Sequence, residues 1–155
     1  MEIRNAEKED LESIIKMRNL FFKDQARKGM ANYPIKLNSF LNRTSLELIK
    51  NKYVYIFTCF DDSTNEPIGY LLSRIKVMSS DYKYPLIGFL EELFIHEKFR
   101  EQGAASLLIK KTLNNFDTLN LKLIEMQVLT NNVQAVAFWK KQNFVSNVLH
   151  MEKTL

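Results

Sequence analysis

Residues 86–111, LIGFLEELFIHEKFREQGAASLLIKK, join a dense apolar run to a polar turn, a glycine and a helical pattern. The run over residues 86–95 is apolar enough to form a strand that is buried on both faces of a sheet. From Gly103 the period changes, because apolar side chains recur at helical spacing as far as Phe116. The stretch therefore predicts a strand, a short turn and an amphipathic helix, with two adjacent glutamates, Glu91 and Glu92, inside the strand.

The turn between this strand and helix has the chemistry of a phosphate-binding loop. Arg100 supplies a positive charge, and the small residues Gly103, Ala104 and Ala105 allow an anion to approach the backbone. The first N–H groups of a helix lack carbonyl partners within it, and the helix dipole is positive there. The same residues also fit an ordinary glycine-initiated helix that packs on a neighbour. They match neither the phosphate loop of nucleotide hydrolases nor the three spaced glycines of dinucleotide binders.

The rest of the chain alternates between strand-like and helix-like patterns. In chain order we predict a strand at 2–5, a helix from about Glu7, a second helical piece at 46–50, strands at 53–60, 68–78 and 86–95, a helix from Gly103, a strand at 124–128, a helix from Asn131 to about Gln142, and a final strand at 148–155. Gln134 is placed to complete a capping box on Asn131. The strands at 53–60 and 68–78 are predicted to form an antiparallel hairpin. The later strands are followed by helices, which favours parallel pairing, so the sheet is predicted to be mixed.

Composition and charge exclude several classes of protein. The chain has 155 residues, of which 46% are hydrophobic and 26% charged, and no run approaches the roughly 18 apolar residues of a membrane span. The net charge is +4, but residues 1–90 hold 14 Lys and Arg against 11 Asp and Glu, and residues 91–155 hold 8 against 7. Because the positive charges are scattered, we expect neither a nucleic-acid partner nor a membrane partner.

The N-terminus, the cysteine and the histidines bear on the cellular location and on metal binding. The N-terminus is charged from Glu2 and lacks the apolar core of a secretion signal, and a lone cysteine cannot form an internal disulfide. We therefore expect a cytoplasmic protein of one domain, residues 1–155. Cys59 lies in an apolar run and is interpreted as a core thiol. His96 and His150 make no ligand spacing, so we expect no metal site.

Two ordered motifs resemble the GNAT superfamily of N-acetyltransferases. The first is R-x-x-G-x-A at residues 100–105, after the strand; the second is Asn132-x-x-Ala135-x-x-Phe138-Trp139, followed by Asn143-Phe144. The segment LEELF, residues 90–94, is similar to the spermidine/spermine acetyltransferase type. The resemblance covers about residues 2–155 in element order and is specific across 86–144. It implies an α/β (α+β) fold with a mixed, mostly antiparallel sheet of about six or seven strands flanked by about four helices.

The resemblance also implies an acetyl-CoA-dependent N-acetyltransferase and gives roles to individual residues. Main-chain groups of Leu93 and Ile95 should hold the pantetheine arm like an added strand, N–H groups of the turn should bind the pyrophosphate, and Asn132 should contact pantetheine or cap its helix. The implied cofactor-binding residues are Leu93, Phe94, Ile95, Arg100, Glu101, Gln102, Gly103, Ala104, Ala105, Ser106, Asn132 and Trp139.

The two glutamates are the candidate catalytic residues. An alkyl amine with a pKa near 10.4 is protonated at neutral pH and must lose a proton before it attacks a thioester. In the resembled pattern a strand glutamate at the position of Glu91 collects that proton, and a main-chain N–H near Leu93 stabilises the developing oxyanion. Consecutive strand residues face opposite ways, so we expect only one glutamate in the cleft. We prefer Glu91 as the base, with Glu92 paired to a buried Arg or Lys.

Two positions depart from the resembled motif. Trp139 stands where many relatives have a tyrosine that protonates the leaving thiolate, and an indole is not usefully acidic. The thiolate then leaves unprotonated, which a thiol pKa near 8.5 permits, or water or another tyrosine supplies the proton. Asn143 replaces a usual glycine, and asparagine tolerates the left-handed conformation that a helix end often needs. Trp139 keeps open an alternative function, an acyl-CoA-binding regulatory module with little or no transferase activity.

The sequence does not identify the acceptor, which is expected to be a primary amine of either a small molecule or a peptide. Residues 21–45 and 78–85 are expected to shape its site. Tyr33, Tyr82 and Tyr84 fall in these segments, either as acceptor contacts or as lids over core edges. A homodimer is expected from the resemblance only.

Overall fold

The computed structural model describes residues 1–30, 32, 34 and 36–155. The strands are β1 (Glu2–Asn5), β2 (Val54–Phe60), β3 (Pro67–Val77), β4 (Leu86–Ile95) and β5 (Ile124–Met126). The helices are α1 (Leu11–Arg27), α2 (Leu37–Lys50), α3 (Ala104–Thr118) and α4 (Val133–Lys141), with short 3-10 turns at Lys8–Asp10 and Glu97–Phe99. None of the helices in these ranges is long and apolar enough to cross a membrane.

The sheet is mixed, as predicted. Its strands lie in sequence order, β1-β2-β3-β4-β5. The first three pairings are antiparallel and the last, between β4 and β5, is parallel. The α/β class and the four helices are confirmed, whereas the expected six or seven strands are wrong for the described residues, which form five.

The predicted strand at 148–155 is not formed. Residues 145–155 have no regular secondary structure, and Val148, Leu149 and Met151 are exposed. A run of β-forming residues becomes a strand only where a neighbouring strand and a buried face stabilise it, and this segment has neither in the described part of the chain. The strand predicted at 124–128 is also shorter, ending at Met126.

The second helix is longer than the predicted piece at 46–50, because α2 begins at Leu37. Its buried positions are Leu37, Leu41 and Ser45, which are spaced four residues apart on one face. The polar Ser45 interrupts the apolar period that would have revealed this face.

The helices form two layers, one on each face of the sheet. On one face α1 contributes Ile14 and Met17 to a core with Tyr70 and Leu72 of β3. On the other face, α3 packs Leu108, Ile109 and Phe116 against a second core that includes Leu71 and Cys59. Cys59 is fully buried and burial raises the pKa of its thiol, so its interpretation as a core thiol is confirmed.

The second core depends on a close approach at Gly88 of β4. A Cβ added at Gly88 would lie 2.6 Å from Cδ2 of Phe116, whose side chain is fully buried. Only glycine therefore lets α3 pack this near to β4, the strand that leads into the turn before α3.

Gly88→Ala should lower the free energy of unfolding by about 1–3 kcal/mol, because the added methyl group overpacks a full core. Urea unfolding of Gly88→Ala alone and in a Phe116→Leu background measures the cost. The cost should shrink in the second background, where the smaller side chain leaves room. An equal cost in both backgrounds would show that the ring contact does not explain the glycine.

Candidate active site

The pairing between β3 and β4 shifts register at the two glutamates. Leu72 pairs with Glu92 and Ser73 pairs with Leu90, so Glu91 is an extra residue with no partner on β3. Such a β-bulge re-aims the side chains next to it. Glu92 contacts Tyr70 and Glu91 contacts Arg74, two β3 residues of the same sheet face. The expectation that adjacent glutamates face opposite ways is therefore wrong here, because the bulge interrupts the pleat.

Glu92 is buried in an ion pair with Arg18 of α1. Arg18 donates from Nε to Oε2 at 2.9 Å and from NH2 to Oε1 at 2.7 Å, while the Tyr70 hydroxyl donates to Oε2 at 2.7 Å. The exposed fractions of Arg18 and Glu92 are 2% and 5%. Burial and the nearby Glu92 charge raise the pKa of Tyr70 well above its usual value, so the phenol stays a donor. The structure thus gives Glu92 the pairing with a buried arginine that was one of its two predicted roles.

The other hydrogen bonds of Arg18 reach α2. Its NH1 donates to the Ser45 hydroxyl at 2.8 Å and to the Thr44 hydroxyl at 3.1 Å. Burial lowers the pKa of Arg18 and the bonds to Glu92 raise it, with a net increase, so the guanidinium is charged. One arginine therefore joins α1, α2 and β4, and its position amid the apolar face of α1, four residues after Ile14, is the signal that could have identified it from sequence.

Glu91 lies at the point where β5 leaves β4. The parallel pairing covers only Gly88, Phe89 and Leu90 of β4, and the last pair is Leu90 with Met126. From Glu91 to Ile95, the described strands pair with β4 on the β3 side alone. The result is an opened strand edge, along which Leu93, Phe94 and Ile95 have no strand partner on the β5 side among the described residues. The Glu91 side chain is accessible at the start of this edge and accepts a hydrogen bond from Arg74 Nε.

The opened edge leads into the turn before α3. Arg100 Nε donates to the Ile95 carbonyl at 3.1 Å and Gln102 Nε2 to the Lys98 carbonyl at 3.0 Å, which fixes the turn. Glu101 and Gly103 have positive φ values of 62° and 88°. A Cβ added at Gly103 would meet no heavy atom within 4 Å, so the space beside this backbone is open.

The first turn of α3 contains Ala104, Ala105 and Ser106, whose N–H groups point out of the helix. Ser106 Oγ accepts a hydrogen bond from Gln142 Nε2 at 3.3 Å, so the end of α4 lies beside the start of α3. The open space at Gly103 and these N–H groups together form a surface that fits a phosphate.

His96 lies between the opened edge and this turn. Its ring contacts Phe94 edge-on, with 5.2 Å between ring centroids. Partial burial, together with the charges of Lys98 and Arg100, lowers its pKa. The positive charges at the turn therefore favour a neutral His96.

The residues of the second motif have structural roles. Asn132 Oδ1 accepts the Ala135 N–H at 3.3 Å and caps α4, so the capping box on Asn131 is wrong while the capping role considered for Asn132 is confirmed. Trp139 is 8% exposed and packs edge-on against Phe138 and Phe144. Asn143 has φ 65°, the left-handed conformation expected of it.

The loop aromatics considered for the acceptor site differ in exposure. Tyr82 is 59% exposed, whereas Tyr84 is partly buried. Tyr33 lies outside the described residues. Across the described ranges, no three His, Cys, Asp or Glu side chains are grouped to hold a metal ion.

The family model described as the acetyltransferase (GNAT) family matches residues 13–144. The chain belongs to the GNAT family. The match spans both helical layers, the opened edge of β4, the turn at Gly103 and α4, so the GNAT motifs inferred from the sequence lie inside it.

Relatives of this GNAT chain include proteins of known structure. A curated relative, an uncharacterized N-acetyltransferase of Methanocaldococcus jannaschii, is 25% identical over 142 residues, 92% of this chain and 59% of the relative. The chain therefore spans less than two thirds of that relative's length. An aminoglycoside 6'-N-acetyltransferase from Acinetobacter haemolyticus has a TM-score of 0.77 at 19% identity, covering 100% of this chain and 99% of the other. AAC(6')-Iy, solved with a bisubstrate analogue of CoA, has a TM-score of 0.78 at 17% identity, covering 99% and 98%.

The two glutamates should differ sharply in their contribution to stability. Glu92→Gln leaves the buried Arg18 without a counter-charge and should lower the free energy of unfolding by about 3–5 kcal/mol. Glu91→Gln breaks an accessible ion pair and should cost about 1 kcal/mol or less. Urea unfolding of both variants beside the parent protein gives the comparison. Similar costs for the two substitutions would contradict the assignment of Glu92 to a structural pair.

Proposed function

We propose that this chain is an acetyl-CoA-dependent N-acetyltransferase that transfers an acetyl group directly to a primary amine of a small molecule or peptide, with Glu91 as general base. The observation that carries the proposal is the opened edge of β4, which runs from Glu91 into the turn at Gly103. An extended ligand that ends in a pyrophosphate fits both parts, because the edge offers strand-like hydrogen bonds and the turn offers N–H donors.

The residues present fit acetyl-CoA. Main-chain groups of Leu93 and the N–H of Ile95 would bind the pantetheine arm on the open edge, since Arg100 already donates to the Ile95 carbonyl. The N–H groups from Glu101 to Ser106 would bind the pyrophosphate. The empty space beside Gly103 supports this role, since a side chain there would obstruct the approach of a phosphate. Bound acetyl-CoA supplies the thioester that the amine attacks.

The position of Glu91 supports its role as the base. Its carboxylate is accessible at the mouth of the opened edge, whereas both Glu92 oxygens are engaged by Arg18 and Tyr70. Glu91 takes one proton from the ammonium, directly or through water, which frees the lone pair of the nitrogen to bond to the acetyl carbon. As the carbon–sulfur bond then breaks, the nitrogen releases a second proton to water. A main-chain N–H near Leu93 stabilises the negative charge that develops on the acetyl oxygen.

The leaving thiolate does not need Trp139 as an acid. The indole is packed between Phe138 and Phe144 and carries no acidic proton. A thiol with a pKa near 8.5 departs as the thiolate at modest cost, with water supplying the proton afterwards.

Cofactor binding is tested by thermal unfolding with acetyl-CoA. A ligand at 100 times its dissociation constant should add about 2.7 kcal/mol to the free energy of unfolding. Ser106→Glu places a negative charge beside the pyrophosphate and should weaken this stabilisation, although a carboxylate at a helix N-terminus favours the free protein. Asn114→Glu, exposed two turns later on α3, is the matched control and should bind normally. An equal loss of acetyl-CoA stabilisation in the two variants, or no stabilisation of the parent protein, would contradict the proposed cofactor site.

Catalysis is tested with Glu91→Gln. The variant should lose about 10²–10⁴-fold in kcat, the usual contribution of a general base, while its affinity for acetyl-CoA is unchanged. Coenzyme A release with a panel of amines gives the rate, and Glu47→Gln, exposed on α2, serves as the control. A protein that binds acetyl-CoA but transfers to no amine would instead be the regulatory module that Trp139 allows.

A further inference from the structure

The sheet face that presents Glu91 carries two neighbouring ion pairs. Arg74 donates to Glu91, and Lys76 Nζ lies 4.0 Å from Glu125 Oε2. All four side chains are accessible, with exposed fractions of 36% and 32% in the first pair and 36% and 47% in the second. Lys76 Nζ also lies 3.3 Å from the centroid of the Phe89 ring.

The strand register explains why these groups meet. Phe89 is the pairing partner of both Arg74 on β3 and Glu125 on β5, so the three side chains lie side by side on one face. Lys76 follows Arg74 by two residues on the same face, and the bulge adds Glu91. We call Arg74, Lys76, Phe89, Glu91 and Glu125 the acceptor patch.

An amine that reaches Glu91 comes to lie beside Arg74, which donates to Oε2 of the same carboxylate. A simple amine, or a polycation, would therefore add positive charge next to Arg74 and Lys76. An acceptor with its own anionic group close to the amine avoids this, since its ammonium faces Glu91 while its anion pairs with Arg74. The planar guanidinium suits this role, because it binds carboxylates with two parallel hydrogen bonds.

We infer that the acceptor is a zwitterion, an amine with a carboxylate a few bonds away such as a free amino acid, and that Arg74 is the specificity-determining residue that binds the carboxylate. The inference rests on the proposed function of the same site. The internal Arg74–Glu91 pair has the charge arrangement of such a ligand, and the patch as a whole is neutral, with two positive and two negative groups. The Phe89 ring lies between the two pairs and is covered by Lys76 Nζ.

The first experiment compares each proteinogenic L-amino acid with its C-terminal amide as acceptor, by coenzyme A release. The amide keeps the side chain and has the less basic amine. A larger fraction of that amine is unprotonated at neutral pH, so intrinsic reactivity favours the amide. The acid should nevertheless have a kcat/KM about tenfold higher or more, which corresponds to about 1.4 kcal/mol. Arg74→Gln should remove this preference by slowing the acid about tenfold more than the amide. Arg74→Lys keeps the positive charge but cannot donate two parallel hydrogen bonds. Its preference for the acid over the amide should lie between those of the parent protein and Arg74→Gln.

Lys153→Gln is the matched control, since it removes one exposed positive charge in the C-terminal segment and should leave the preference intact. The second experiment measures binding of the same acids and amides to protein saturated with coenzyme A, by isothermal titration calorimetry. Binding of the acids that depends on Arg74, without turnover, would uphold the zwitterion site and reject the transferase proposal.

Other outcomes overturn the inference. Turnover of amides or simple amines at rates equal to the acids would leave the transferase in place and reject the zwitterion site. An equal loss for acid and amide in Arg74→Gln would make Arg74 a support for Glu91 and not a carboxylate ligand. A protein that neither binds nor acetylates any of the amino acids would also contradict the zwitterion inference.

Discussion

The structure depends on one buried ion pair, between Arg18 and Glu92. A charge removed from water is tolerated only when its partner and its remaining hydrogen bonds are all supplied, and here Glu92, Thr44 and Ser45 satisfy the guanidinium together. Tyr70 satisfies the second lone pair of Oε2. These groups come from α1, α2, β3 and β4, so the pair can form only when the helical layer is docked in one register on the sheet. A pair of this kind adds little net stability relative to well-packed apolar side chains, whereas removal of one partner alone is costly.

The same pair accounts for how the neighbouring glutamate is presented. Glu92 is tied to α1, and the bulge places Glu91 next to it on the same face and at the exact residue where β5 departs. One carboxylate is thereby immobilised and the other is accessible, although the two are consecutive in the chain. A regular strand would have sent one of them to the α3 side, into the core around Leu71 and Leu108. The bulge therefore coincides with the end of the β5 pairing and keeps both charges out of the apolar core.

Local sequence patterns predicted most of the strands and helices. The features that they missed depend on contacts between residues far apart in the chain. β4 has the predicted bounds, and α3 and the β2–β3 hairpin lie within a residue or so of theirs, because their apolar periods are unbroken. The early turns of α2 were missed because Ser45 occupies a core position whose partner, Arg18, lies 27 residues away. The bulge follows from the register between two strands, which neither strand encodes alone. The two GNAT motifs indicated the turn at Gly103 and the start of α4, whereas the roles of Arg18, Tyr70 and Arg74 required the folded structure.

In the proposed site, the cofactor and the acceptor contact different parts of the molecule, which explains why family membership does not name the acceptor. The opened edge of β4 and the turn at Gly103 are main-chain features, and the overall fold is what this chain shares with solved structures of 17–19% identity. The acceptor patch is made of side chains on β3, β4 and β5, and each can change without moving the backbone. Arg74 illustrates the point, because the zwitterion inference implies that a neutral residue there would turn the same Glu91 into a site for simple cations. In the proposed site, the charge beside Glu91, and not the fold that holds it, determines the acceptor.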